Sequence, residues 1–164
     1  MTVINVQTDV EELTLTLVAE FDASPERLWQ IWADARQLER WWGPPSWPAS
    51  FERHEFVAGG QSRYHMTGPE GQKARGWWRL TAIDPPHRLE LDDGFADDAG
   101  EPLDPADAVH MVVTIEAAGD RTRMTTVTRF TDATQLQRML DMGMEQGIRE
   151  AAGQIDELLA EPAS

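Results

Sequence analysis

The side chains able to do chemistry are few and scattered. Four histidines, His54, His65, His87 and His110, stand far apart, without the close pairs that ligate structural or catalytic zinc. His54-Glu55 opens a zinc-protease pattern, but the second histidine would fall at position 58, which is Ala58. Asp92, Asp93, Asp97, Asp98 and Glu101 crowd one stretch, yet they lack the alternating oxygen ligands and central glycine of a calcium loop. No metal is expected. The chain has no cysteine, which excludes thiolate chemistry and disulfides. It has neither a glycine-rich phosphate loop with its lysine nor a Gly-x-Ser-x-Gly elbow. No cofactor and no catalytic residue is assigned on these grounds.

What remains is apolar and aromatic. Seven tryptophans and seven methionines among 164 residues exceed what a compact core needs, since each tryptophan buries about 150–250 Å². The surplus is expected to line a cavity. Strand parity places Ser62, Tyr64 and Met66 on one face, Trp78 with Leu80, Met111 with Val113, and Met124 with Thr126 and Thr128. If those faces are concave, they meet Leu136, Met139, Leu140 and Gly143 of a C-terminal helix. Tyr64, Thr126 and Thr128 are then sparse polar groups in an apolar hollow, the usual make-up of a small-molecule pocket. The competing expectation is that these side chains close a solid core. Gly143, Gly147 and Ala151 form a stripe that either makes room for ligand or lets the helix sit close to the sheet. Trp41-Trp42-Gly43-Pro44 reads as a lid at the mouth or as an anchor for two short helices.

The elements that must position these residues are legible from periodicity. Leu13, Leu15, Leu17, Ala19 and Phe21 alternate with polar residues as a half-buried strand does. Ser24 is a helix N-cap and Pro25 a first helical residue, opening a short helix with Leu28, Ile31, Trp32 and Ala35 on one side. A second helical turn through Leu38 and Trp41 stops at Gly43-Pro44-Pro45. Turn signals at Gly59-Gly60, Gly68 to Gly71, Asp84-Pro85-Pro86 and Ala118-Gly119-Asp120 then punctuate strands near 49–56, 61–67, 73–83, 87–95, 108–117 and 121–130. The stretch from Asp92 to Asp107 reads as a long mobile acidic loop. From Asp132 to Ala160 the apolar spacing predicts one long helix. The sum is a single α+β domain over 1–164, with its core at about 12–160.

Bulk charge narrows the partners. A net charge of −15 repels nucleic-acid phosphates and anionic lipid headgroups. No run approaches the roughly 18 apolar residues of a membrane span. Met1 to Glu20 has no basic flank or continuous apolar run, so no export signal is expected there, and a cytoplasmic setting fits the lack of cysteine.

Phe21-Asp22-Ala23-Ser24-Pro25 with Leu28-Trp29, then Leu38 to Trp41-Trp42-Gly43-Pro44, then Gly59-Gly60, Gly71, Asp84 to Leu89 and Thr122-Arg123-Met124-Thr125 follow one another in an ordered series. Together they resemble the START-like superfamily called SRPBCC, which includes the birch-pollen-allergen fold. Within it the resemblance is to the branch related to the activator of the ninety-kilodalton heat-shock protein ATPase, over about residues 12–160. The chain departs from that pattern at Gly147-Ile148, where relatives often show Gly-Trp, and at Ala58, where a basic residue is frequent. The resemblance implies a helix-grip fold, a curved antiparallel sheet wrapped around the C-terminal helix, and a ligand cavity between them. The leading expectation is a non-enzymatic binding domain for an apolar or aromatic small molecule. One alternative is an enzyme of the polyketide cyclase or aromatase kind, with Tyr64 or His65 as acid or base, although parity puts those two on opposite faces. Another is a chaperone-associated or regulatory module, using a convex face that carries Arg79, Thr81, His110, Val112 and Thr114; a second copy of the chain is a further candidate partner.

Overall fold

The computed structural model describes residues 2–161. Eight strands form one antiparallel sheet: β1 (Thr2–Asp9), β2 (Thr14–Phe21), β3 (Ala49–His54), β4 (Gln61–Thr67), β5 (Lys73–Asp84), β6 (Arg88–Phe95), β7 (Val109–Ala118) and β8 (Arg121–Arg129). Their order across the sheet is β1-β2-β8-β7-β6-β5-β4-β3. The helices are α1 (Pro25–Ala33) and α2 (Ala35–Leu38) after the second strand, then α3 (Ala133–Asp141), α4 (Met144–Ala152) and α5 (Ile155–Ala160) at the C-terminus. This is the helix-grip arrangement, an α+β fold with a curved sheet and C-terminal helices. Among the described residues no helix is long and apolar enough to cross a membrane.

The alternation in β2 becomes a buried row of Leu15, Leu17, Ala19 and Phe21. Ser24 Oγ accepts from the Arg27 amide at 3.1 Å and Pro25 begins α1, which buries Leu28, Trp29, Ile31 and Trp32. Strands β3 to β8 fall within a few residues of the spans that the turn signals predict.

Three expectations need correction. β1 precedes the expected first strand and pairs along β2; Met1 to Glu20 alternates apolar with polar residues, but in β1 the run Ile4-Asn5-Val6-Gln7 is too short to mark a separate strand. The C-terminal stretch is not one helix but three segments. Gly143 has a left-handed φ of 86°, a backbone state that a glycine adopts at little steric cost and that ends α3 before α4 begins. The acidic stretch is not one loop either, because Asp92 and Asp93 belong to β6, which runs on to Phe95. Beyond it the Asp97 carboxylate accepts from the amides of Ala99 and Glu101, an isolated bridge pairs Ala96 with Pro102, and Pro105–Asp107 makes one helical turn.

The core fills the space between the sheet and the helices. Arg27 Nη2 donates to the Leu158 carbonyl at 2.9 Å, tying α1 to α5. Gln154 Nε2 donates to the Gly43 carbonyl at 2.7 Å and so fixes the α4–α5 junction against the Trp-Trp-Gly-Pro segment.

Candidate functional site

Where α3 and α4 cross the sheet they leave a hollow of about 300 Å³. Met66 reaches it from β4, Met111 from β7 and Met124 from β8, while Met139, Met142 and Met144 come from α3, α4 and the break between them. Six of the chain's seven methionines therefore line one cavity. Trp32, Trp41 and Trp42 add an aromatic wall, and Gly143, Gly147 and Ala151 lie along the helical side. The mouth is apolar too, for Phe95 and Met142 are 42% and 64% exposed and both border the hollow.

The tryptophan wall is built locally. Trp41 Nε1 donates to the Ile31 carbonyl at 3.0 Å, and its ring stands edge-on to Trp32 at 4.7 Å. Trp42 stands edge-on to Trp78 at 4.7 Å. The Trp-Trp-Gly-Pro segment is thus an anchor that packs the two short helices onto the sheet, and its inner side is cavity wall.

The polar content is concentrated in one pair. Tyr64, on the inward face of β4, sits opposite Gly76 of β5, and a Cβ at position 76 would lie 2.4 Å from the Tyr64 Cζ and hydroxyl oxygen. The missing side chain lets the phenol lie across β5 and donate to Asp93 Oδ1 on β6 at 2.8 Å. Asp93 follows Leu89 and Leu91 on the inward face of its strand. Protein surrounds it, yet it stays half-buried by surface because its open side borders the cavity. Burial pushes its carboxyl up to about 7, against the downward pull of the Tyr64 hydrogen bond. Burial, with the Asp93 charge beside it, likewise drives the Tyr64 phenol well above its ordinary range. Thr126, Thr128 and Asp107 complete the polar lining.

The structure brings together Tyr64, Met66, Met111, Met124, Thr126, Thr128, Met139 and Gly143 of the residues singled out from sequence. Three others lie elsewhere. Trp78 has no exposed surface and packs against Trp42 and Phe51 outside the lining, because the Trp42 ring takes the inner position that parity alone assigns to Trp78. Leu136 is buried in a second small cluster with Leu15, Val109, Phe130 and Met139, and Leu140 packs against the same cluster. Met139, one turn from Leu136 on the same helix, belongs to that cluster and also reaches the cavity.

Asp93 is not among the cavity residues singled out from sequence, and Trp41-Trp42, read there as a lid or an anchor, is also cavity wall. The signals for Asp93 were its place in the alternation Leu89, Leu91, Asp93, Phe95 and a glycine, Gly76, in mid-strand opposite Tyr64.

The histidines are held away from the cavity. His54 bonds Ser62 Oγ at 2.7 Å and the Trp32 carbonyl at 2.8 Å. His65 pairs with Glu52, and His110 bridges Asp92 and Glu90. Among the described residues no three His, Asp or Glu side chains gather as a metal site.

The family described as Activator of Hsp90 ATPase homolog 1-like protein has a model that matches residues 22–160. A solution structure of an Arthrobacter aurescens protein is 56% identical, with 99% of this chain and 95% of that one covered and a TM-score of 0.92. A crystal structure of a Mycobacterium smegmatis protein is 45% identical over 96% of this chain and 98% of its own, at a TM-score of 0.88. The AHSA1 protein from Silicibacter pomeroyi shares the fold at 24% identity and a TM-score of 0.71, over 90% of this chain and 97% of that one. No curated protein matches.

Proposed function

The chain belongs to the Activator of Hsp90 ATPase homolog 1-like family, and we propose that it binds an apolar or aromatic small molecule between the sheet and the C-terminal helices. The observation that carries this reading is the convergence of six methionines from three strands and the helical arm on one hollow. Methionine is unbranched and polarizable, so a wall built of it adapts to the outline of an apolar guest and makes favourable contacts with aromatic rings. A solid core needs no such gathering. The volume, about 300 Å³, stands at the lower end of the range for small-molecule pockets, about 300–1,000 Å³. A few polar groups, foremost the Tyr64–Asp93 pair, supply orientation in an otherwise apolar lining, which supplies most of the free energy.

A panel of flavonoids, polyketide-like aromatics and an environment-sensitive apolar dye, titrated against the protein, tests this. Binding with dissociation constants on the order of micromolar, about 8 kcal/mol, is expected. It should change the tryptophan emission, because Trp32, Trp41 and Trp42 face the guest. No change in emission or melting temperature with any member of the panel would reject the reading in favour of a partner-binding module with an idle cavity.

A further inference from the structure

We infer that the cavity selects ring systems carrying a hydrogen-bond donor, a hydroxyl or amino group, and rejects those carrying a carboxylate, with Asp93 as the selecting contact. The inference rests on the binding reading above and deepens it.

The Asp93 side chain takes one hydrogen bond from the described residues, that of the Tyr64 hydroxyl on Oδ1. An ionised carboxyl offers about four acceptor positions and no donor. Neither arginine nor lysine pairs with it among the described residues; the influences on it are burial and Tyr64. Tyr64 holds it from one side, strands β5 and β7 flank it through Trp78 and Val109, and the open side is the cavity. An acceptor fixed in place, facing an apolar hollow, is matched by a donor on the guest. Above about pH 7, where the Asp93 carboxyl is ionised, a guest carboxylate would instead bring a second negative charge beside the first in a largely apolar hollow, which is strongly unfavourable for like charges. The field of a chain with net charge −15 works in the same direction.

The test uses three probes of one ring system, naphthalene, 2-naphthol and 2-naphthoate, titrated calorimetrically at about pH 8.5, where the Asp93 carboxyl is ionised, against the wild-type protein, Asp93→Leu and Asp93→Asn. The wild type should bind 2-naphthol on the order of tenfold more tightly than naphthalene, and 2-naphthoate more weakly than either. In Asp93→Leu the hydroxyl preference should vanish while naphthalene still binds. In Asp93→Asn the discrimination against 2-naphthoate should relax. Should the leucine variant fail to fold, the wild-type order and the asparagine variant decide. Equal binding of naphthalene and 2-naphthol by the wild type overturns the inference and leaves the cavity reading standing, as does a hydroxyl preference that survives in Asp93→Leu. Failure of all three probes to bind the wild type removes the cavity reading, and the inference with it.

Discussion

Replacing Asp93 by asparagine should change how stability depends on pH. In the folded chain burial raises this carboxyl from 3.8 to about 7. Between those values the folded state keeps a proton that the unfolded state has released, so stability falls as pH rises through that window. At about 1.4 kcal/mol per unit, the whole window amounts to at most about 4 kcal/mol, and the side of Asp93 that opens on the cavity admits screening that reduces it toward about 2. Asparagine keeps the shape and an acceptor for Tyr64 but removes the titration. The difference between the two proteins isolates this group. Urea unfolding of wild type and variant at about pH 4, 5.5, 7 and 8.5 reads it out. The variant should match the wild type near pH 4, gain progressively, and level off about 2–4 kcal/mol more stable above pH 7. Parallel profiles would refute the reasoning, since they would mean that Asp93 is ionised in the folded chain as readily as in the unfolded one.

The glycines give further tests. A Cβ at Gly147 would meet nothing within 4 Å, so Gly147→Ala should stabilise the chain by about 0.5–1 kcal/mol through helix propensity. Gly147→Trp should fill the cavity and lower dye affinity at least tenfold, yet cost less than the about 1–3 kcal/mol of overpacking a tight core. Gly76→Ala should destabilise by about 1–3 kcal/mol on chemical denaturation, because the new methyl would sit 2.4 Å from the Tyr64 ring. Most of that loss should disappear in a Tyr64→Ala background, which a double-mutant cycle measures. Gly143 also has open space around it but a φ of 86°, so Gly143→Ala should lower the melting temperature through strain of about 1 kcal/mol.

Much of the fold was readable because local rules and global packing agree. The alternation from Leu15 to Phe21, the Ser24-Pro25 cap and the Gly and Pro turns each specify one conformation, and each is found where it was expected. The misreadings arise where two signals conflict. From Asp132 onward helical spacing is unbroken, but Gly143 can take a left-handed turn at little cost and the chain uses it to bend over the cavity. Strand parity correctly sends Trp78 inward, yet parity says nothing about depth, and the bulky neighbour Trp42 from another element covers it. Asp93 was lost because acidic composition outweighed its register in β6. A carboxylate on an inward face has little reason to be there unless something pairs with it, and the partner, Tyr64, comes from two strands away across a glycine.

The central claim is that one hollow, walled by methionines from both the sheet and the helices, receives the guest. The direct measurement is the methyl spectrum of the protein labelled with carbon-13 at its methionines, recorded as an aromatic probe such as 2-naphthol is added. Met66, Met111 and Met124 on three strands and Met139 and Met144 on two helices face the same space, so ring currents from a bound guest should move their resonances together, along a single saturating curve. Resonances that stay fixed, or a shift confined to the exposed Met142, would contradict the account.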